Sequence, residues 1–404
     1  MNVREFRKIL APAGQEALRA AAALEPSEPE FLAHFDALKR QYPPELVRLA
    51  LEIAILRREA QSKFPFASQL YFTRPALEQA SSYTIAAYRS QRYAGFQHIA
   101  DLGCSVGSDT LALASRAPTI GIDLDPVRLA MAQANLACLS LPYNASLLQA
   151  DLTQRLPLAA SENTGLFFDP ARRSGERRLF SVREYIPPLN IIEEWLLRFP
   201  ALGVKISPGV NLEQLSGYRA EIEFISLGGE LKEAALWFGP LKTCHRRATL
   251  LPGEHSLLAI TESPLPAGSE RRLPLSEPLS YLYEPDPAIL RAGLVQLLGE
   301  QLSAAQLDPD IAYLTSDRLV ETPFARAWRV EFWIPFGIKR LRQALRLRSV
   351  TDVIVKKRGS PLQPEELIHN LRLEHSKDQD SAQRVLFLTH LRGRPIVVIC
   401  FANL

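Results

Sequence analysis

Between His98 and Phe238 the chain alternates short β-rich runs with helical stretches, and this alternation limits the fold more than any other feature. Repeated strand–helix–strand units build a parallel sheet. The expected strands are Gln97–Asp101, Thr119–Asp123, Ala145–Gln149, Gly165–Asp169, Leu202–Ile206, Ile222–Ser226 and Glu233–Phe238. Only the Gly228-Gly229 turn region separates the last two, which leaves no room for a crossover helix, so they are expected to pair antiparallel. The expected fold class is α/β, with a seven-stranded Rossmann-like sheet.

The flanks read differently. From Asn2 to about Arg89 apolar residues recur at spacings of three and four, most clearly Leu46, Leu49, Ile53 and Leu56, which predicts helices. A stretch from Gly239 to about Pro278 holds Pro252, Pro264, Pro266, Pro274 and Pro278 and reads as strands and loops at a domain boundary. Beyond it, helices are expected over Pro287–Leu302 and Ile338–Leu347. Strands are expected over Ile311–Thr315, Ala327–Trp333, Val353–Lys357, Arg384–Thr389 and Pro395–Phe401, making the C-terminal part α+β. At 404 residues the chain exceeds one hydrophobic core. The expected domains are 1–90, helical; 91–240, the sheet; 241–335, a linker and α+β domain; and 336–404, a final α+β domain.

Composition narrows the function classes. With 47% hydrophobic and 23% charged residues the chain reads as globular, and a net charge of +3 means that any affinity for nucleic acid must come from a local patch. No stretch approaches the roughly 18 apolar residues of a membrane span, and MNVREFRKIL lacks the apolar core of a secretory signal. A cytoplasmic protein without membrane contact is expected. Cys104, Cys138, Cys244 and Cys400 form no C-x-x-C pair, so reduced, buried thiols are expected rather than disulfides or zinc, and the scattered histidines suggest no metal.

Asp101-Leu-Gly103-Cys-Ser105-Val-Gly107 follows an apolar strand and precedes a helix over Asp109–Ser115. Glycine lets backbone approach a ligand, and a helix start adds unpaired N–H donors. Alone, such a turn is equally a tight strand–helix connection with no ligand. Its context decides. Strand two ends in Asp123, where a carboxylate can accept both ribose hydroxyls of an adenosine. Asp125 precedes Pro126 and is expected to cap the next helix. Asp151 closes strand three, where it can accept an adenine amino group, and Asp169 closes strand four. Four acidic strand ends along one carboxyl edge point to S-adenosylmethionine (SAM), with Asp101 suited to the methionine ammonium. The turn reads G-x-S-x-G, not the G-x-G-x-x-G of nicotinamide sites. Cofactor-binding residues are therefore expected at Asp101, Gly103, Ser105, Gly107, Asp123 and Asp151.

Strand four runs into Asp169-Pro170-Ala171-Arg172. This resembles the Asp/Asn-Pro-Pro-aromatic turn of methyltransferases acting on amino groups of nucleic-acid bases, with Ala171 and Arg172 replacing the second proline and the aromatic. The resemblance implies catalytic roles for Asp169, Pro170 and Arg172. The alternative is that Asp169-Pro170 only caps a helix. No cysteine lies at Lys205-Ile-Ser-Pro, which disfavours a thiolate mechanism and favours direct transfer.

Tyr71-Phe72-Thr73 followed by Leu77-Glu78-Gln79-Ala80, together with Lys205-Ile-Ser207-Pro208-Gly209, Glu284-Pro285-Asp286-Pro287-Ala288 and Lys356-Lys357-Arg358-Gly359, completes a wider likeness. The chain resembles a bacterial family of class I SAM-dependent methyltransferases with a helical N-terminal region and ferredoxin-like plus THUMP-like C-terminal parts. It resembles the cap-guanine N2 methyltransferases more distantly. The distant likeness implies that Phe72 and Thr73 lie near SAM, and the resemblance to the bacterial family implies that 241–335 is ferredoxin-like and 336–404 THUMP-like. Ser105 stands where many of the family carry glycine.

In Ile338–Arg348, Ile338, Leu341 and Leu345 form one helical stripe and Lys339, Arg342 and Arg346 another. With Lys356, Lys357 and Arg358 these are the expected RNA-binding residues; the alternative is a solvated helix face. Glu284–Ala288 is expected to be a strand-to-helix junction capped by Asp286. The expected function is methyl transfer from SAM to a base nitrogen of RNA. Small-molecule or protein methylation, and a non-catalytic SAM-binding RNA-binding protein, stay open as alternatives, as does the oligomeric state.

Overall fold

The computed structural model describes residues 1–171, 181–260, 272–373 and 383–402, together with the backbone of Arg173–Ser174 and Arg177–Arg178. Two compact units emerge, Met1–Ile225 with Lys232–Thr243, and Ser226–Leu231 with Cys244–Leu404.

The first unit opens with α1 (Val3–Leu10), α2 (Pro12–Ala23), α3 (Phe31–Leu38), α4 (Pro44–Glu59), α5 (Arg74–Gln79) and α6 (Tyr83–Ser90). In α1, Asn2 and Glu5 form a reciprocal capping box. Leu49, Ile53 and Leu56 of α4 are buried with Phe64, Leu70 and Phe72 in one apolar cluster, which also takes in Val106, Leu111 and Met131. The helical region is thus continuous with the layer covering the sheet.

That sheet contains β1 (His98–Leu102), β2 (Thr119–Asp123), β3 (Ala145–Gln149) and β4 (Thr164–Phe168), then β7 (Leu202–Ile206), β8 (Glu221–Leu227) and β9 (Glu230–Phe238). A short ribbon of β5 (Arg173–Ser174) and β6 (Arg177–Arg178) follows β4. These seven stand in the order β8-β9-β7-β4-β1-β2-β3 within a sheet of nine strands, two more than the expected seven. β3, β2, β1, β4 and β7 are mutually parallel, whereas β9 runs antiparallel to β7. Every expected strand is present within three residues of its expected bounds. Helices α7 (Ser108–Leu113), α8 (Pro126–Ala137) and α9 (Ile192–Leu196) lie on the connections.

A slot crosses the middle of the sheet. Gly165 of β4 and Gly203 of β7 leave room for Tyr93, whose ring would lie 2.6 Å from a Cβ on Gly165 and whose hydroxyl 2.4 Å from one on Gly203. Its Oη donates to the Leu166 carbonyl at 2.8 Å.

In the second unit β10 (Arg246–Leu251) and β11 (His255–Ala259) form a hairpin. A seven-stranded sheet follows, ordered β13-β14-β12-β15-β18-β17-β16, from β12 (Tyr281–Pro285), β13 (Ala305–Asp308), β14 (Ile311–Ser316), β15 (Ala325–Pro335), β16 (Asp352–Lys357), β17 (Gln383–Leu391) and β18 (Arg394–Phe401). Helices α12 (Ile338–Arg346) and α13 (Pro364–Leu371) bury Leu341, Leu345, Leu367 and Leu371 with Leu386 and Ile399 of the sheet.

Several expectations need correction here. The helix expected over Pro287–Leu302 is two helices, α10 (Pro287–Ala292) and α11 (Val295–Gln301), because Gly293 at φ 72° ends the first. β12, β13 and α13 were not expected. Cys104, Cys244 and Cys400 are buried, but Cys138, at the C-cap of α8, is exposed. No helix among the described residues is long and apolar enough to cross a membrane.

Candidate active site at the carboxyl edge of the sheet

The turn after β1 is held from the neighbouring strand, since the N–H groups of Gly103 and Cys104 both donate to the Ile122 carbonyl. Gly103 has φ 82°, and a Cβ there would come within 2.7 Å of the Asp169 carbonyl oxygen, so this position suits only glycine. Gly107, at φ 84°, starts α7. Ser105 also takes a positive φ, 50°. That left-handed geometry is why glycine suits the position in the resembling family, and a serine carries a modest strain there.

Asp123 is preorganised by that turn. Its Oδ2 accepts from the Ser105 N–H and its Oδ1 from the Asp125 N–H, each at 2.9 Å. Each oxygen keeps a further lone pair, an acceptor set that fits two vicinal hydroxyls. Leu124, 61% exposed, offers an apolar surface beside them. Asp125 caps α8 as expected, accepting from the Val127 and Arg128 N–H groups.

Asp101 is 1% exposed. Its Oδ2 accepts from Thr110 Oγ1 at 2.6 Å, while Oδ1 is buried with no hydrogen-bond partner. Burial, then the nearby Asp109, holds this carboxyl well above its usual range. A buried carboxylate oxygen without a partner costs free energy that a cationic ligand recovers. The residues present therefore fit SAM: an unsatisfied acid for its ammonium and a held carboxylate for its ribose.

Below the edge, Arg89 is buried against the Phe167 ring, with its guanidinium 4.5 Å from the centroid. It pairs with Asp109 and with Glu233 at 3.1 Å, and donates to Ser81 Oγ. Asn135 of α8 makes the other long-range tie. Its side chain accepts from the Tyr71 N–H at 2.7 Å and donates to the carbonyls of Tyr71 at 3.0 Å and Val106 at 2.9 Å, joining the Tyr71–Thr73 segment to the turn. Neither Arg89 nor Asn135 carries a sequence motif, and nothing in local spacing marks them.

Phe72 is buried and packs on Phe64, and Thr73 caps α5 by accepting from the Ala76 N–H. Asp151 lies two residues beyond β3 instead of closing it. Hydrogen bonds from the Thr153 hydroxyl and N–H hold its carboxyl below the usual range.

Asp169 follows β4 directly, and its N–H donates to the Leu102 carbonyl at 3.0 Å. Its Oδ2 lies 2.7 Å from Lys205 Nζ. Pro170 is buried, and among the described residues no helix follows: Ala171 pairs with Ile186 in an antiparallel bridge and Arg173–Ser174 is a strand. The helix-cap alternative is thereby excluded. Arg172 lies outside the described residues. Two lysines satisfy the carbonyls of Leu77-Glu78-Gln79-Ala80, Lys63 donating to Leu77, Glu78 and Ala80 and Lys205 to Gln79. Those carbonyls end α5 and have no helical partner, which gives the motif its physical sense.

The basic residues of the second unit divide. Lys339 and Arg346 are exposed, but Arg342 donates to the Asn370 carbonyl. Lys356 pairs with Glu284, Lys357 donates to Gln363, and Arg358 donates to the carbonyls of Ala312 and Pro285. The Glu284–Ala288 and Lys356–Gly359 segments thus meet, and Asp286 caps α10 as expected. Of the six expected contact residues, only Lys339 and Arg346 are both exposed and without a partner among the described residues.

The comparisons agree with this architecture. Residues 325–402 match the THUMP domain-like family, 281–323 a ferredoxin-like domain, and 2–60 a domain of unknown function. A Mycobacterium tuberculosis protein, described in strains CDC 1551 and H37Rv as an uncharacterized S-adenosylmethionine-dependent methyltransferase, is 35% identical over 339 residues, 81% of this chain and 89% of its own. The crystal structure of a candidate methyltransferase from Porphyromonas gingivalis W83 shares the fold, with a TM-score of 0.76 at 23% identity, covering 94% of this chain and 99% of that one. With the carboxyl-edge geometry and this extent of identity together, the chain belongs to the S-adenosylmethionine-dependent methyltransferases.

Proposed function

We propose that this methyltransferase acts on a base nitrogen of RNA in the cytoplasm, and that its second unit binds the RNA. The observation that carries the reading is Asp169-Pro170 at the carboxyl edge, one oxygen of its carboxylate held from behind, next to the glycine turn. A carboxylate so placed suits an acceptor amino group, whose N–H it can hold while the nitrogen lone pair points elsewhere. The THUMP domain-like match over 325–402 supports RNA as the class of acceptor.

In this reading Asp101 holds the methionine ammonium, Asp123 the ribose hydroxyls and Leu124 one face of the adenine, with Asp151 at its rim. Gly103, Ser105 and Gly107 let backbone approach, and the Phe72–Thr73 segment closes the site from the helical region. When bound, SAM would supply an electrophilic methyl group to the acceptor nitrogen, and the proton that nitrogen sheds would pass to solvent water. Asp169 and the Pro170 backbone orient the acceptor, and Arg172 stands next to them in sequence.

Incubation with methyl-labelled SAM and fractionated cellular RNA, protein and metabolites tests this. Label in RNA, lost on Asp169→Ala, is expected; label confined to protein or metabolites overturns the RNA acceptor.

A further inference from the structure

We propose that Lys205 is a positioning residue for methyl transfer, setting the Asp169 carboxylate from behind so that its second oxygen faces the acceptor. This rests on the reading that Asp169 meets the acceptor amine.

Lys205 lies in β7, the strand next to β4, and its side chain is 3% exposed. Taking an ammonium out of water is costly unless it is paired and hydrogen-bonded, and an apolar side chain packs such a position more cheaply. The ammonium has two partners. It lies 2.7 Å from Asp169 Oδ2 and donates to the Gln79 carbonyl at 3.1 Å. Asp169 is 20% exposed, and among the described residues its Oδ1 has no partner. One oxygen is fixed, and the other has no partner among the described residues.

A carboxylate rotating freely would spread its acceptor lone pairs over many directions; one pinned at Oδ2 and at its own backbone N–H keeps a single orientation. The second partner adds a coupling. Gln79 ends α5, whose first turn is capped by Thr73, so the same ammonium binds the segment beside the cofactor turn to the residue that meets the acceptor. Lys63 completes the end of α5 without touching Asp169, so helix capping alone does not account for Lys205.

The test compares full-length wild type, Lys205→Met and Lys205→Arg by calorimetry with SAM and by single-turnover methyl transfer into the cellular fraction that wild type labels. Lys205→Met is expected to bind SAM within threefold of wild type and to transfer methyl about 100-fold more slowly, the scale of a 1 Å misplacement. Lys205→Arg, which keeps the charge and both donors, is expected to stay within about tenfold of wild type. If Lys205→Met does not fold, Lys205→Gln, which still donates but carries no charge, takes its place. Wild-type transfer by either neutral variant overturns the proposal. So does equal loss of SAM binding and transfer in the neutral and Arg variants, which marks a purely structural lysine. If wild type labels protein or metabolites instead of RNA, the RNA acceptor fails while the Lys205 comparison is decided on that fraction.

Discussion

The Ser105 backbone N–H donates to Asp123 Oδ2 at 2.9 Å, so the glycine turn and the end of the second strand form one binding surface. The carboxylate is aimed before any ligand arrives. Hydrogen bonds to a charged group are worth about 1.5–3 kcal/mol each. Asp123→Ala is therefore expected to weaken SAM binding by roughly 10- to 100-fold, read by calorimetry, with no gain in stability because two N–H groups lose their partner.

Asp101 carries a pH prediction. Its folded-state pKa is raised by burial and by Asp109, so the folded chain binds a proton that the unfolded chain gives up near pH 4. Stability without ligand therefore falls as pH rises from about 4 toward the raised value. Asp101→Asn removes that slope. The variant is expected to melt higher than wild type at pH 7 and with it at pH 4, while losing SAM affinity. Equal melting temperatures at both pH values refute the assignment.

Gly103→Ala tests the approach of two backbones. A left-handed alanine costs about 1–2 kcal/mol, and the added Cβ at 2.7 Å from the Asp169 carbonyl forces the turn away from β4. A lower urea midpoint and at least a tenfold loss of SAM affinity are expected.

Asn135→Ala leaves one buried N–H and two carbonyls without partners, and is expected to cost about 3 kcal/mol. Hydrogen exchange should rise at Tyr71 and around Val106 together; a rise at one alone shows that Asn135 does not join them.

On the second unit, Lys339→Glu with Arg346→Glu should leave thermal stability within error and reduce the salt dependence of RNA binding by about two counterions. Arg342→Ala should instead lower the melting temperature, since its side chain is bound to Asn370. A double variant with unchanged RNA binding removes this face from the interface.

The parallel sheet was legible because its strands are short apolar runs punctuated by turns, and the acidic residues because they recur at strand ends. β12 and β13 escaped because Tyr281–Pro285 ends in proline and Ala305–Asp308 spans four residues, too little for a pattern. Arg342, Lys356 and Arg358 read as a basic surface because a sequence shows charge but not the carbonyls and carboxylates that meet it after folding. Lys205, Arg89 and Asn135 act on residues 36, 20 and 64 positions away, beyond any local spacing.

The Tyr93 slot bears on how such a sequence can drift. A side chain at position 165 or 203 collides with the tyrosine as long as the tyrosine stands, and a smaller residue at 93 leaves a void under the two central strands. Changes are therefore ordered in time: residue 93 must shrink before residue 165 can grow, residue 203 waits in addition on Trp237, whose ring would lie 2.5 Å from a Cβ there, and the lineage crosses a less stable intermediate on the way.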